Sequence, residues 1–299
     1  MYAEFYGLAR LPFEMTPDPG FLFLGEAHRE GLATLVYGVR ARKGFVLLTG
    51  EVGTGKTTLL HALLGQLEAS TRSAFIFNPR LEPLDFFRVL FDEFGIENDC
   101  STKAGFLLRL NHWLIERLER DETALLIIDE AQNLSSEMLE EVRLLSNLET
   151  PSSKLLQIML VGQPELGDLL DRRELRQLRQ RIVLRHHLRP FDEEETEAYV
   201  EERLRLAGYT GKGIFRRSAR KELYRVTGGV PRLINAVCDG ALLGGFAREQ
   251  ALIDGDAILE VAEELRLPAA GGEGGGPNPA GARRSSTGLR RRRRRWFGR

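Results

Sequence analysis

One short loop of this chain has the residue types that cradle phosphate groups. Its glycines permit positive φ angles and a close approach of backbone N–H groups to phosphate oxygens. The lysine predicts contact with β- and γ-phosphates, and the hydroxyl after it predicts a ligand for Mg²⁺. A plain glycine-rich turn is the alternative when the loop is taken alone. The loop residues are, in order, Gly50, Glu51, Val52, Gly53, Thr54, Gly55, Lys56, Thr57 and Thr58.

Two carboxylates follow an aliphatic run later in the chain. Asp129 and Glu130 come directly after residues 124–128. An uninterrupted aliphatic run is typical of a buried parallel strand, and ligands collect at the carboxyl ends of such strands. We therefore expect Asp129 to hold Mg²⁺, directly or through water, and Glu130 to orient and deprotonate an attacking water. The alternative is a core strand with an acidic surface turn, and the phosphate loop upstream makes that alternative less favoured.

Further polar side chains follow the next strand-like run. Gln163 comes just after residues 155–161, so it is a candidate to touch a γ-phosphate or the attacking water, with a surface turn as the alternative. Downstream, residues 175–182 form a helix-to-strand passage that is rich in guanidinium groups. Its arginines are Arg176, Arg179 and Arg181.

The elements that must position these residues alternate between strand and helix. Such alternation predicts an α/β fold with a parallel sheet that helices cover on both faces. After Phe191 the strand-like runs cease, which predicts a small helical domain. The predicted strands are 44–49, 73–78, 124–128 and 155–161. The predicted helices are 26–42, 59–67, 83–94, 103–120, 135–148, 192–207, 216–226, 231–247 and 255–265.

Length and composition narrow the class of protein. A chain of 299 residues with 42% hydrophobic residues can bury a large core. Cys100 and Cys238 lie far apart without metal-type spacing, which favours reduced structural cysteines and a cytosolic setting. No run reaches the roughly twenty apolar residues of a membrane span, and the first residues lack a signal-peptide pattern.

Taken together, the motifs make the chain similar to a known family. Residues 1–267 resemble the AAA+ ATPases of the ExeA or GspA-like family, whose members serve type II secretion, pilus assembly or exopolysaccharide export. The matching residues are Phe5-Tyr6-Gly7-Leu8, Pro12-Phe13, Thr16-Pro17-Asp18-Pro19, His28, Tyr37-Gly38, the phosphate loop, Asp129-Glu130-Ala131-Gln132, Gly162-Gln163-Pro164-Glu165-Leu166, Gln180-Arg181-Ile182 and Gly229-Val230-Pro231-Arg232-Leu233-Ile234-Asn235.

That resemblance implies a fold, a ligand and a mode of assembly. It implies a P-loop α/β domain followed by a small all-α lid, with ATP and Mg²⁺ bound between them. Arg232 then matches the lid arginine that senses the γ-phosphate, with a routine salt bridge as its alternative. Arg181 matches the finger that a neighbouring subunit inserts, so self-association into a dimer or ring is expected. Arg179 and Arg176 are the substitutes for that finger.

The same resemblance, read with the composition, divides the chain into four expected parts. A hook rich in aromatic residues and prolines is expected to pack on the domain that follows it. The parts are the N-terminal hook 1–24, the AAA+ nucleotide-binding α/β domain 25–190, the helical lid domain 191–267, and a flexible Gly/Pro linker with an Arg-rich tail 268–299.

One departure from the family concerns the end of the chain. Members of the family usually continue into a membrane span and a peptidoglycan-binding module, which we do not find here. In their place Arg290 to Arg295 precede Trp296 and Phe297. Such a cluster predicts contact with an anionic membrane, contact with nucleic acid, or merely a solvated end.

The family resemblance leaves three functions open. The leading expectation is an ATPase that acts as a motor or switch in assembly of a bacterial envelope secretion or polysaccharide-export system, cytoplasmic and peripheral to the inner membrane. A DNA-associated ATP switch, similar to transposition or replication-initiation ATPases, is the alternative. A scaffold that does not hydrolyse ATP is the third.

Overall fold

The structure is a computed structural model that describes residues 2–16, 19–77, 81–97, 99–151 and 153–267. The residues of Met1–Leu267 form one compact unit. The predicted linker and tail, with Arg290 to Arg295, lie outside the described residues. The predicted boundaries at residues 24 and 190 stay predictions.

A parallel sheet forms the centre of the nucleotide-binding part. Within the described residues its five strands are ordered β2-β3-β4-β1-β5. Because β3 pairs with β4 and β4 pairs with β1, the carboxyl ends of these three strands meet at one edge of the sheet. The strands are β1 Phe45–Gly50, β2 Thr71–Ile76, β3 Thr123–Ile128, β4 Leu156–Gly162 and β5 Ile182–Leu188.

Helices cover both faces of this sheet, as the continuous aliphatic runs predict. Alternate side chains of β3 belong to opposite faces: Leu126 lies in the cluster with α4, α5 and α6, whereas Leu125 and Ile127 lie in the cluster with α2 and α3. The helices are α1 Tyr2–Phe5, α2 Glu26–Arg40, α3 Lys56–Gln66, α4 Pro83–Phe94, α5 Lys103–Glu119, α6 Ser136–Leu145, α7 Pro164–Leu170, α8 Arg176–Arg181, α9 Glu193–Leu206, α10 Arg217–Thr227, α11 Pro231–Ala247 and α12 Gly255–Glu264.

The last four helices share a hydrophobic cluster of their own, and the N-terminal hook joins it. Tyr2, Tyr6, Phe13 and Phe21 are buried there together with side chains of α9–α12. The rings of the hook are therefore buried with the last four helices, while its turn Pro19–Phe21 also contacts α3 of the domain that follows it in sequence. The apolar content of the hook predicts burial, but it does not say which cluster has room for the rings.

Local signals explain where several helices begin. Ser135 caps α6, since its hydroxyl accepts a hydrogen bond from the N–H of Met138 at 3.1 Å. Asp192 and Glu195 form a capping box at the start of α9. Pro231 occupies the first turn of α11, where its missing N–H costs nothing. No helix among the described residues is long and apolar enough to cross a membrane.

Candidate nucleotide-binding site

The phosphate loop connects the end of β1 to the start of α3. Gly53 and Gly55 have φ angles of 82° and 97°, a region that side chains with a Cβ rarely adopt. Gly55 precedes α3 and offers no side-chain cap. The first N–H groups at the positive end of that helix therefore stay available to an anion. The Lys56 ammonium donates to the carbonyl oxygens of Gly50 at 2.7 Å and Glu51 at 3.0 Å. The positive φ angles that the glycines permit are thus present at Gly53 and Gly55 and not at Gly50, and Thr57 is half-buried in the first turn of α3.

The centre of the site is a buried group of opposite charges. Burial lowers the pKa of Lys56, while the carboxylates of Glu130 and Asp129 act to raise it. Burial likewise raises the pKa of Asp129, and the hydrogen bond of 2.8 Å from the Glu130 N–H to Oδ1 acts against that rise. Both groups are at most 7% exposed. The desolvation of each charge is therefore a cost that an added phosphate and cation would offset.

Glu130 has an unusual backbone. Its φ angle is 51°, in the left-handed region that costs a non-glycine residue about 1–3 kcal/mol and that clusters at functional sites. Its carboxylate oxygen Oε2 accepts hydrogen bonds from two amides, those of Gln132 and Gln163, the second at 3.2 Å. The geometry therefore brings Glu130 and Gln163 into direct contact, as their positions on neighbouring strands predict.

Sequence reasoning gave no role to Gln132, although the residue belongs to the matching motif. Its carbonyl oxygen accepts a hydrogen bond from the backbone N–H of Gln163 at 3.1 Å. The residue lies in a 3₁₀ turn, Ala131–Asn133, that carries it from β3 towards the tip of β4. Spacing alone does not reveal that turn, since the acidic strand predicts only where the chain leaves the sheet.

The first turn of α11 lies against the phosphate loop. The backbone N–H of Arg232 donates to the carbonyl of Gly53 at 3.2 Å. A Cβ at position 53 would lie 2.7 Å from the Arg232 Cβ and 3.1 Å from the Val230 Cγ1, so glycine is needed here for close approach as well as for its φ angle. The side chain of Arg232 is exposed at this position. The structure therefore brings Arg232 to the loop, and its role as a γ-phosphate sensor stays a prediction.

His28 is a second residue of the site that sequence reasoning left without a role. Its Nε2 donates to the carbonyl of Thr54 at 2.9 Å, and its ring centroid lies 4.9 Å from that of Phe191. Burial lowers the pKa of His28, and among the described residues its Nδ1 is buried without a hydrogen-bond partner. His28 therefore links the phosphate loop to the start of the helical segment. The matching motif was the only signal for it.

The three arginines near α8 have separate surroundings. The Arg181 guanidinium donates to the carbonyl of Arg143 at 3.4 Å and to the Ser146 hydroxyl, both at the C-terminal end of α6. Arg179 pairs with Asp171 at 2.8 Å. Arg176 is exposed. The contacts of Arg181 lie on α6 and not on the phosphate loop of its own chain, and its role as a finger stays a prediction.

The residues present suit magnesium. The predicted ligands, the Asp129 carboxylate and the Thr57 hydroxyl, are hard oxygen donors of the kind that Mg²⁺ prefers. Among the described residues no group of three or more His, Cys, Asp or Glu side chains could form a metal cage. Magnesium is usually held by one or two protein ligands with water and substrate phosphates, so a sparse donor set fits it better than it fits Zn²⁺ or Ca²⁺.

Two surface cavities lie away from these residues. One, of about 670 Å³, is lined by α5 and by residues that follow the end of α4. The other, of about 610 Å³, lies beside the end of α2 and the start of β4. None of the predicted site residues lines either cavity, so size alone does not locate the site.

Comparisons with known proteins agree with this architecture. The family model described as AAA domain matches residues 39–170. The chain is 45% identical over 266 residues to General secretion pathway protein A of Aeromonas hydrophila, a match that covers 88% of this chain and 48% of that protein. The chain thus spans about half the length of this curated relative.

Solved structures resemble the chain in fold alone. The Drosophila ORC bound to DNA has a TM-score of 0.67 at 18% identity, covering 89% of this chain and 67% of that chain. The Aeropyrum pernix ORC2 protein in its ADPNP-ADP complexes has a TM-score of 0.62 at 14% identity, covering 86% and 72%. These matches confirm the predicted fold class, a parallel P-loop sheet between helices followed by a helical region.

Proposed function

We propose that this chain, which belongs to the AAA+ proteins related to General secretion pathway protein A, binds ATP with Mg²⁺ and hydrolyses it. One observation carries the proposal. The Glu130 and Asp129 carboxylates lie close enough to the Lys56 ammonium to act on its pKa, at the common edge of β1, β3 and β4. A cation for phosphates, a carboxylate for Mg²⁺ and a base for water are the parts that phosphoryl transfer to water needs.

Each residue has a task in this proposal. The loop N–H groups and Lys56 bind the phosphates, while Thr57 and Asp129 hold the cation. When bound, Mg²⁺ stabilises the negative charge that develops on the phosphate oxygens. Glu130 accepts a proton from the attacking water, whose oxygen bonds to the γ-phosphorus as the bridging oxygen leaves with ADP. Gln163 orients that water or the γ-phosphate.

The helical segment and a neighbouring subunit complete the machinery. Arg232 reports the γ-phosphate to the lid, a role that its contact with Gly53 supports. Arg181 serves as a finger towards the next subunit of a dimer or ring, with Arg179 and Arg176 as substitutes. Such a finger accelerates hydrolysis by about 10³–10⁵-fold. Turnover per protomer should therefore rise with protein concentration in the wild type and stay low in Arg181→Ala.

Two substitutions test the chemistry directly. Lys56→Ala should abolish binding of ATP, because it removes the buried cation that faces the phosphates. Glu130→Gln should keep ATP bound and stop turnover, because the amide cannot accept the proton. Calorimetry with ATP and a phosphate-release assay measure the two effects. Normal turnover by Glu130→Gln would remove this residue from the mechanism.

The biological task rests on the curated relative. We propose a motor or switch in assembly of a bacterial envelope secretion or polysaccharide-export system, located in the cytoplasm at the periphery of the inner membrane. An identity of 45% over most of the chain supports a secretion task. The tail Arg290 to Arg295 is the proposed contact with anionic lipid or nucleic acid. Liposome binding that is lost on deletion of residues 283–299 would support the membrane contact.

The expected alternative, a DNA-associated ATP switch, gains no support from the ORC structures, because matches below 25% identity show the fold alone. A gel-shift titration with DNA across salt concentrations tests it. Tight, ATP-dependent DNA binding that survives deletion of residues 283–299 would favour this alternative. Turnover that depends on the finger excludes the third expectation, a scaffold without hydrolysis.

A further inference from the structure

The side chain of Gln132 bridges the proposed base and the tip of β4. Its amide nitrogen donates to Glu130 Oε2, and its carbonyl oxygen accepts from the Gln163 N–H at 3.1 Å. The Gln163 side chain donates to the same Glu130 oxygen at 3.2 Å. Three residues that follow β3 and β4 are therefore joined in one closed set of hydrogen bonds.

The orientation of the Gln132 amide is determined by its partners. A backbone N–H can only donate and a carboxylate can only accept, so a flipped amide would lose both hydrogen bonds. The two amide donors share Glu130 Oε2. Among the described residues, Glu130 Oε1 takes part in no hydrogen bond, so it is the oxygen left to accept a proton.

Two backbone features point to the same residue. The φ angle of 51° at Glu130 is strained, and such a conformation persists only where its surroundings hold it. A Cβ at position 162 would lie 2.5 Å from the Gln132 carbonyl oxygen, so Gly162 lets that oxygen pack onto the tip of β4. Gln132 is thus fitted to the strand tip on one side and to the carboxylate on the other.

We propose that Gln132 is a positioning residue for hydrolysis: it holds the Glu130 carboxylate in the orientation that leaves Oε1 free, and ties that carboxylate to the backbone of Gln163. This inference rests on the proposed ATPase function. Gln132 itself touches neither phosphate nor cation in this arrangement. Its effect should therefore fall on the chemical step and not on binding of ATP.

The test measures kcat, KM and ATP affinity for wild type and Gln132→Ala. We expect kcat to fall about tenfold or more, since hydrogen bonds to a charged group are lost, with ATP affinity within about twofold of wild type. Gln157→Ala is the matched control, because Gln157 is a buried glutamine at the start of β4, far from the tip that Gln132 contacts. Its side-chain oxygen accepts from the Gly44 N–H and its amide nitrogen donates to the Lys154 carbonyl. That variant should melt earlier and keep its kcat.

A second variant separates positioning from folding. Gln132→Glu keeps the shape of the side chain and an oxygen that can accept from the Gln163 N–H, but an ionised carboxylate cannot donate to Glu130 Oε2. Its kcat should therefore fall about as far as that of Gln132→Ala while KM stays near that of the wild type. A role in packing alone would leave the kcat of Gln132→Glu near the wild-type value, because the side chain still fills the same space.

Coupling to the strand tip gives a third measurement. Gly162→Ala should lower kcat strongly in wild type and less in Gln132→Ala, because the clash with the Gln132 oxygen is then absent. The contact of the new Cβ with Leu166, at 2.9 Å, is common to both backgrounds and cancels.

The outcomes distinguish this inference from the proposed function. No turnover of Mg-ATP by the wild type at any protein concentration overturns both. Turnover by the wild type together with an unchanged kcat in Gln132→Ala or in Gln132→Glu overturns the positioning role alone.

Discussion

Two adjacent glycines between α10 and α11 offer a controlled test of how the helical segment is joined to the sheet. Gly228 and Gly229 have φ angles of 57° and 74°, so alanine is strained at both positions. A Cβ at Gly228 would meet no atom within 4 Å, whereas a Cβ at Gly229 would lie 1.8 Å from the Phe191 carbonyl oxygen. The N–H of Phe191 also donates to the Gly229 carbonyl at 3.0 Å. Alanine at either position therefore has the cost of the left-handed backbone, and only alanine at position 229 has the cost of the clash with Phe191.

The shared cost is the left-handed backbone, about 1–2 kcal/mol for a residue with a Cβ. Gly229→Ala also loses a backbone hydrogen bond worth about 0.5–1.5 kcal/mol and displaces Phe191, which, as for overpacked sites, costs about 1–3 kcal/mol. The difference in the free energy of unfolding between the two variants is therefore about 1.5–4.5 kcal/mol. For a unit of this size each kcal/mol lowers Tm by roughly 2–4 °C, so Gly229→Ala should melt at least about 3 °C below Gly228→Ala.

Calorimetry and urea unfolding of both variants measure this difference. Gly229→Ala should also bind ATP more weakly, since the turn leads directly to Val230 and Arg232, which contact Gly53. Gly228→Ala should keep the affinity of the wild type. Equal melting temperatures for the two variants would refute the packing of Phe191 against this turn. A lower Tm with unchanged ATP affinity would refute its connection to the phosphate loop.

Two further predictions concern buried charges at the site. Burial raises the pKa of Asp129 in the folded protein, so the contribution of this residue to the free energy of unfolding is lost as pH rises through the folded pKa. Asp129→Asn removes the buried charge and should therefore raise Tm at neutral pH. The same substitution should abolish Mg-dependent turnover. Burial lowers the pKa of His28 and of His186. Their contribution to the free energy of unfolding is therefore present above the unfolded pKa of about 6.5 and is lost as pH falls below it. His28→Gln should lose less stability than the wild type over the same fall in pH.

Each of these predictions has its own contrary result. A lower Tm for Asp129→Asn at pH 7, measured by calorimetry, would show that the carboxylate stabilises the fold. For His28, urea unfolding from pH 5 to 8 gives the comparison, with His186→Gln as the matched histidine variant. If the free energy of unfolding depends on pH in the same way in wild type and His28→Gln, the loss of stability at acid pH belongs to other groups.

The sheet could be predicted from the sequence where its strands are central. β1, β3 and β4 are buried on both faces, so their aliphatic runs are continuous and their ends lie within one or two residues of the predicted ones. The edge strand β2 runs from Thr71 to Ile76, two residues earlier than predicted. Its first residues are polar and partly exposed, because an edge strand has a neighbour on one side only. Composition therefore gives a weaker signal there.

The site divides in the same way between local and distant signals. Lys56 and Glu130 follow strands whose order along the chain is readable, so their meeting could be predicted. The contacts of Gln132 and His28 could not, because each depends on how separate segments pack. His28 reaches Thr54 across 26 residues of chain, through the packing of α2 beside α3. The cluster that buries the rings of the hook could not be predicted for the same reason, since the burial of rings is a local signal and the choice of cluster is not.

The contacts around the phosphate loop follow a single electrostatic rule. Hydrogen-bond donors occupy the carbonyl oxygens of the loop. The Lys56 ammonium donates to those of Gly50 and Glu51, the backbone N–H of Arg232 to that of Gly53, and the His28 ring to that of Thr54. Among the hydrogen bonds of the described residues, the N–H groups of Gly53 and Gly55 take no part. Carbonyl oxygens that are held by donors cannot turn towards a phosphate and repel it. Thus the His28 ring and the Arg232 backbone N–H favour anion binding by holding the peptide dipoles of the loop. His28→Ala should therefore weaken ATP binding, although its ring bonds a carbonyl and not a phosphate, whereas Arg232→Ala keeps the hydrogen bond to Gly53.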